Sequence, residues 1–171
     1  MRTLRVEVVP YKDEWRADFE KIKSEIVSAV GECIIGVEHV GSTAVVGMAA
    51  KPCIDIDVVI ADRAMLCRVA EGLSAIGYVH EGDLGIEGRE AFCYYDKPHL
   101  AKHHLYVCAK DSRELQRHLS FRDFLRSNPD AVRQYSEVKQ AAASLYPDDI
   151  EGYISSKSPY IEKVYRLLGL M

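Results

Sequence analysis

Hydrophobic positions along this chain follow two rhythms that alternate for about 110 residues and then settle into one. LRVEVV (4–9) alternates apolar and polar and predicts a short strand. Trp15, Phe19, Ile22, Ile26 and Val30 then recur at helical spacing, a stripe opened by Asp13 and Glu14 and ended at Gly31. CIIGVEHV (33–40) and CIDIDVVI (53–60) predict strands. Asp62 is placed to cap a helix running to about 75, with Met65, Leu66, Val69, Leu73 and Ile76 on its apolar side. GYVHEG (77–82) predicts a strand and GDLGIEG a turn-rich loop. EAFCYYD (90–96) and HHLYVC (103–108) read as an antiparallel pair joined through Lys97-Pro98. Beyond 110 only the helical period remains, over about 112–127, 129–145 and 149–169, punctuated by Asn128-Pro129 and Pro147. The order predicts an α+β fold with a mixed sheet core over 1–110. A helical part, 111–171, is expected to pack on that core in a single compact unit.

One strand breaks the pattern. Asp55 and Asp57 lie two apart in CIDIDVVI and therefore share a face, with α-carbons about 6–7 Å apart. Asp is depleted from strands, and two carboxylates this close in a dry cleft repel until one protonates. A divalent cation between them removes that penalty, and Mg²⁺ (or Mn²⁺) suits carboxylate oxygen while keeping positions for phosphates. A wet strand face with the acids paired to Lys51 or an arginine would give the same pattern. The stretch just upstream favours the metal. Gly41 permits close backbone approach, and Ser42 and Thr43 offer hydroxyls and amides, with helix amides facing an anion if a helix starts there.

Bulk properties narrow the partners. A chain of 171 residues with 48% apolar content can bury a core, and a net charge of −4 argues against nucleic acid. No run reaches the roughly 20 apolar residues of a membrane span, and MRTLRVEVVP lacks a signal peptide's apolar region. Five cysteines, an odd number with no CxxC spacing, suggest a reducing, cytoplasmic setting rather than a disulfide framework. His99, His103 and His104 lack zinc-site spacing, since adjacent strand residues point to opposite faces.

The Gly-Ser turn, the spacer and the acidic-hydrophobic-acidic strand together resemble the DNA polymerase beta-like nucleotidyltransferase superfamily. VEVVPYKDEW, HVGSTAVVGMAAKPCIDIDVVI, HHLYV, HLSFRDFLRSNP, YSEVK and YISSKSPYIEKV, in that order over nearly the whole chain, are similar to the GrpB family within it. The resemblance implies a nucleotidyltransferase-like mixed sheet. It also implies a triphosphate held by Gly41, Ser42 and Thr43, Mg²⁺ on Asp55 and Asp57, and a nucleoside monophosphate passed to a small-molecule hydroxyl. A catalytically silent nucleotide or phosphometabolite binder is the alternative. The superfamily's third carboxylate is expected on 102–108, which has no acid; Glu90, Glu87 or His104 is the candidate replacement. Lys51, Arg89 and Arg122 are candidate phosphate contacts, the arginines for their bidentate geometry. Lys139 and Lys157 join them at similar family positions. Arg113 with Arg117, and Arg122 with Arg126, form same-face pairs, with His118 four before Arg122. Tyr94, Tyr95 and Tyr106 suit either base stacking or cross-strand packing. A monomer or small homo-oligomer is expected.

Overall fold

The computed structural model describes residues 5–171. Its first element is helix α1 (Glu14–Val30), whose predicted stripe is buried: Trp15, Phe19, Ile22, Ile26 and Val30 all face the core. Strand β1 (Gly36–Val40) follows a 3₁₀ turn at Gly31–Cys33, so it starts three residues later than its apolar content suggests. Next come β2 (Ile54–Ile60), α2 (Leu66–Ala75), β3 (Tyr78–Gly82), β4 (Glu90–Tyr94) and β5 (His103–Ala109). Asp62 does cap its helix, accepting from the Ala64 amide in the 3₁₀ turn that leads into α2. Helices α3 (Arg113–Arg126), α4 (Pro129–Leu145) and α5 (Ile150–Leu167) complete the chain.

The predicted strand over 4–9 is not one. Leu4 lies outside the described residues, and the remainder contributes a single bridge, Val9 to Ala50. Its alternation has another cause. Val6 is buried against Ala142 and Tyr153 of the C-terminal helices, and its amide donates to Pro147 O.

The five strands form one mixed sheet in the order β1-β2-β5-β4-β3. The β2–β5 pair is parallel and the other three are antiparallel. Strand pleat then divides the side chains. Ile54, Ile56, Val58, Leu105, Val107 and Phe92 turn to one face, where α1 and α2 bury them in the main core. Asp55, Asp57 and Val59 turn to the other, beside His104, Tyr106 and Cys108 of β5. Leu115 of α3 packs on Val59 and Cys108, which seats the C-terminal helices on that face. A buried apolar face worth about 25 cal/mol per Å² thus fixes which residues are left for chemistry.

Candidate functional site

Each aspartate has a histidine partner. His104 Nδ1 donates to Asp55 Oδ1 at 3.0 Å from the register position opposite it on β5. His118 Nδ1, from α3, donates to Asp57 Oδ2 at 2.6 Å. Asp57 is fully buried, and its Oδ1 has no hydrogen-bond partner among the described residues. Burial alone would raise the Asp55 carboxyl, but the hydrogen bond and charge of His104 outweigh it and hold its pKa low. The same bond pushes His104 up to about 10. Burial would lower His118, yet its bond to Asp57 wins and its pKa is raised. Each aspartate is thus held by a histidine whose protonated form the pairing favours.

The turn over this strand is a single 3₁₀ turn, Ser42–Ala44, rather than the start of a helix. Two β-branched residues and then Gly47, at positive φ, carry the chain away before a helix can propagate. Gly41 has φ +72°, and a Cβ there would lie 2.4 Å from Asp55 Oδ2. Close approach and backbone hand both require glycine. Gly41→Ala is expected to cost about 1–3 kcal/mol, read as a lower urea midpoint. An unchanged midpoint would contradict this packing.

Beneath the turn three lysines converge. Lys139 of α4 is 1% exposed, and its Nζ donates to Ser42 Oγ at 2.7 Å. Lys157 of α5 and Lys51 approach the Tyr153 ring from 5.0 and 5.7 Å. None of the three forms an ion pair among the described residues. Burial, helped by the Lys157 charge, pushes Lys139 down to about 6. Burial pushes Lys157 to about 8 and lowers Lys51. With Ser42, Thr43, Asp55 and His104 they line a cavity of about 50 Å³. That is room for roughly one or two waters.

Helix α3 braces the site from one face. His118, Arg122 and Arg126 are spaced by four and reach Asp57, Glu38 and Ala44 O respectively. Arg122 Nη1 donates to Glu38 Oε2 at 2.7 Å and to His39 O at 3.1 Å. Its charge is thereby engaged in holding β1. Arg89 lies 4.2 Å over the Tyr106 ring, and its buried Nε has no partner among the described residues. Arg113 and Arg117 are drawn away to Leu170 O.

The structure does not bring Glu90 or Glu87 to the aspartates. Glu90 pairs with Val107, whose side chain faces the opposite side of the sheet; there it bonds His80 Nε2 at 2.7 Å and contacts Arg63. Glu87 is exposed in the β3–β4 loop. Tyr94 stacks on His103 on that same far face, and Tyr95 is exposed. The residues not singled out beforehand are His118, as the partner of Asp57, and Glu38. Glu38 stands opposite Asp57 on β1 and shares its face, so an acid does neighbour the pair, from the other flank.

The donors suit a hard divalent cation. Asp57 Oδ1 is a buried acceptor in need of a partner, and Mg²⁺ commonly takes only one or two carboxylates, completing its shell with water and phosphate. Among the described residues no three His, Cys, Asp or Glu side chains form a ready ligand set, so the pair alone would hold it.

A mixed five-stranded sheet bearing paired acids beneath a glycine-serine turn, with helices on both faces, is a nucleotidyltransferase-like α+β fold. The chain belongs to the GrpB family, whose model ("GrpB protein") matches residues 5–167. It is 32% identical over 160 residues to the "Glutamate-rich protein GrpB" of Alkalihalophilus pseudofirmus, covering 92% of each chain. It is 33% identical over 159 residues to the "UPF0157 protein YqkA" of Bacillus subtilis; that match takes in 92% of this chain but 46% of the relative. The crystal structure of conserved protein GrpB from Enterococcus faecalis superposes with a TM-score of 0.76 at 29% identity, covering 93% of this chain and 99% of that one. Cid1 in complex with its product ApU shares the fold alone, with a TM-score of 0.51 at 12% identity over 77% of this chain and 42% of that one. No helix among the described residues is long and apolar enough to cross a membrane.

Proposed function

We propose that this chain is a divalent-metal-dependent nucleotidyltransferase, moving a nucleoside monophosphate from a triphosphate to the hydroxyl of a small molecule. The observation that carries this reading is the meeting of two half-sites. The Ser42 turn with its buried Lys139 lies directly over Asp55, whose neighbour Asp57 has an unpartnered oxygen. A Mg²⁺ or Mn²⁺ held by Asp55 and Asp57, when bound, polarises the reacting phosphate and screens its charge. The chain does the rest by position and charge. Lys51, Lys139 and Lys157 neutralise the outgoing phosphates, and Ser42 with the backbone around Gly41 and Thr43 orients them. Arg89, stacked over Tyr106 with a buried Nε that lacks a partner among the described residues, adds positive charge beside the aspartates' face. Arg122 acts at one remove, fixing β1 through Glu38 and His39 O.

A second reading, a catalytically silent binder of nucleotides or phosphometabolites, is favoured by one observation. The β5 positions opposite Asp55 and Asp57 hold His104 and Tyr106, not an acid. His104, held protonated by its Asp55 bond, serves to fix that carboxylate rather than to take a proton from an acceptor hydroxyl. Incubation with labelled triphosphates, Mg²⁺ and a mixture of small hydroxyl compounds separates the two. Pyrophosphate release dependent on both metal and acceptor is the expected result. Saturable calorimetric binding without pyrophosphate would select the silent binder, and neither signal would remove both.

A further inference from the structure

The Ser42–Ala44 turn faces two ways. Ser42 Oγ meets Lys139 in the small cavity, while the next hydroxyl, Thr43 Oγ1, is 2.9 Å from His39 Nε2 on the other side. That side opens on a cavity of about 640 Å³, against about 50 Å³ beneath the lysines. It lies between the start of α1, the 43–47 loop and the α3–α4 junction. Its volume is within the roughly 300–1,000 Å³ typical of small-molecule sites. Phe19, Val45, Leu125 and Val132 give it an apolar wall. The Phe19 ring is itself backed by His39, stacked at 4.6 Å and 12°.

Charge at the rim is mostly positive, with Arg16 and Arg126 against Glu20 alone. Arg126 is fixed there by two bonds to Ala44 O, at 3.0 and 2.8 Å. Arg16 forms no ion pair among the described residues. Neither the metal pair nor the three lysines line this space. We propose that this cavity is a second ligand site, separate from the phosphate site, for a small anion with an apolar body. The arginines take a carboxylate or phosphate head, and the Phe19–Val45–Val132 wall takes the body.

The protein carries its own reporter. Trp15 is its single tryptophan and packs edge-on against Tyr11, 5.5 Å between ring centroids, and Tyr11 lines the cavity. Phenylpropionate, phenyl phosphate, phenylpropanol and phenylpropylamine are titrated against Trp15 emission excited at the red edge. One or both anions should saturate the signal, and which one does identifies the head group. The neutral and cationic analogues should bind at least about tenfold more weakly. Val132→Phe, which fills the wall, should abolish the response with the far-UV circular dichroism unchanged. Arg16→Glu should weaken it, and Lys139→Met should leave it intact because the phosphate site is elsewhere. The proposal is overturned by no saturable response at millimolar anion, by equal binding of the amine, or by an unchanged response in folded Val132→Phe. It is equally overturned if Lys139→Met removes the response, which would place the ligand under the lysines.

Discussion

Replacing Asp55 and Asp57 together by asparagine is expected to abolish Mg²⁺-dependent triphosphate binding, a loss of at least about a hundredfold in calorimetry. A hard cation held between two carboxylates has only neutral amide oxygens left in the variant. The fold should survive, because His104 and His118 can donate to the asparagine oxygens as they do to the acids. The two halves of the site should then separate. With both negative charges gone, the potential around Lys51, Lys139 and Lys157 becomes more positive. Metal-free binding of inorganic phosphate should therefore persist or strengthen. Unchanged Mg²⁺-dependent affinity, or loss of metal-free phosphate binding in a folded variant, would contradict the assignment.

Lys139→Met should move stability and binding in opposite directions. The Lys139 amine is buried against a serine hydroxyl and forms no ion pair among the described residues, and burial, helped by the Lys157 charge, pushes its pKa down to about 6 in spite of the opposing Asp55 charge. The unfolded chain holds that proton up to about pH 10.4, so between about pH 6 and 10 it binds more protons than the native state. Wild-type stability from this group therefore rises with pH across that window, by up to about 1.4 kcal/mol per pH unit, and is lowest below pH 6. Methionine removes that slope. It should raise stability near pH 7 by about 1–3 kcal/mol, because folding no longer has to strip a proton from this buried amine. Triphosphate affinity should fall at least about tenfold in the same protein. Matching urea midpoints for both proteins from pH 6 to 9, with equal affinities, would contradict a cation kept for an anion.

Much of the frame was legible from periodicity. The α1 stripe and the core-facing alternation of β2 follow from burying apolar area, and the structure keeps both. The 4–9 segment shows the limit, since alternation reports one buried face without saying whether a strand or a helix pair covers it. Glu90 shows another. Its face is tied by the pleat to that of Phe92, two residues on, and the pairing of Phe92 with Leu105 and Glu90 with Val107 puts both on the core side. Whether Phe92 or its neighbours Ala91 and Cys93 turned to the core decided the matter, and a one-residue slip would have turned Glu90 toward the aspartates. His118 was closer to hand. It lies four residues before Arg122 and eight before Arg126, and all three reach the same side of the sheet. The spacing identified the face, but the acid it would meet depended on where α3 docks through Leu115. Likewise the turn residues suggested a phosphate site and the family resemblance named Lys139, but that this lysine, some hundred positions later, is the one bonded to Ser42 is a matter of tertiary packing.

The most direct test is a crystal soaked with Mn²⁺ and a non-hydrolysable triphosphate, with data collected at the manganese edge. The account predicts an anomalous peak coordinated by both Asp55 and Asp57, with terminal phosphates on Ser42 and among Lys51, Lys139 and Lys157. A triphosphate bound elsewhere, or a peak that touches neither aspartate, would contradict it.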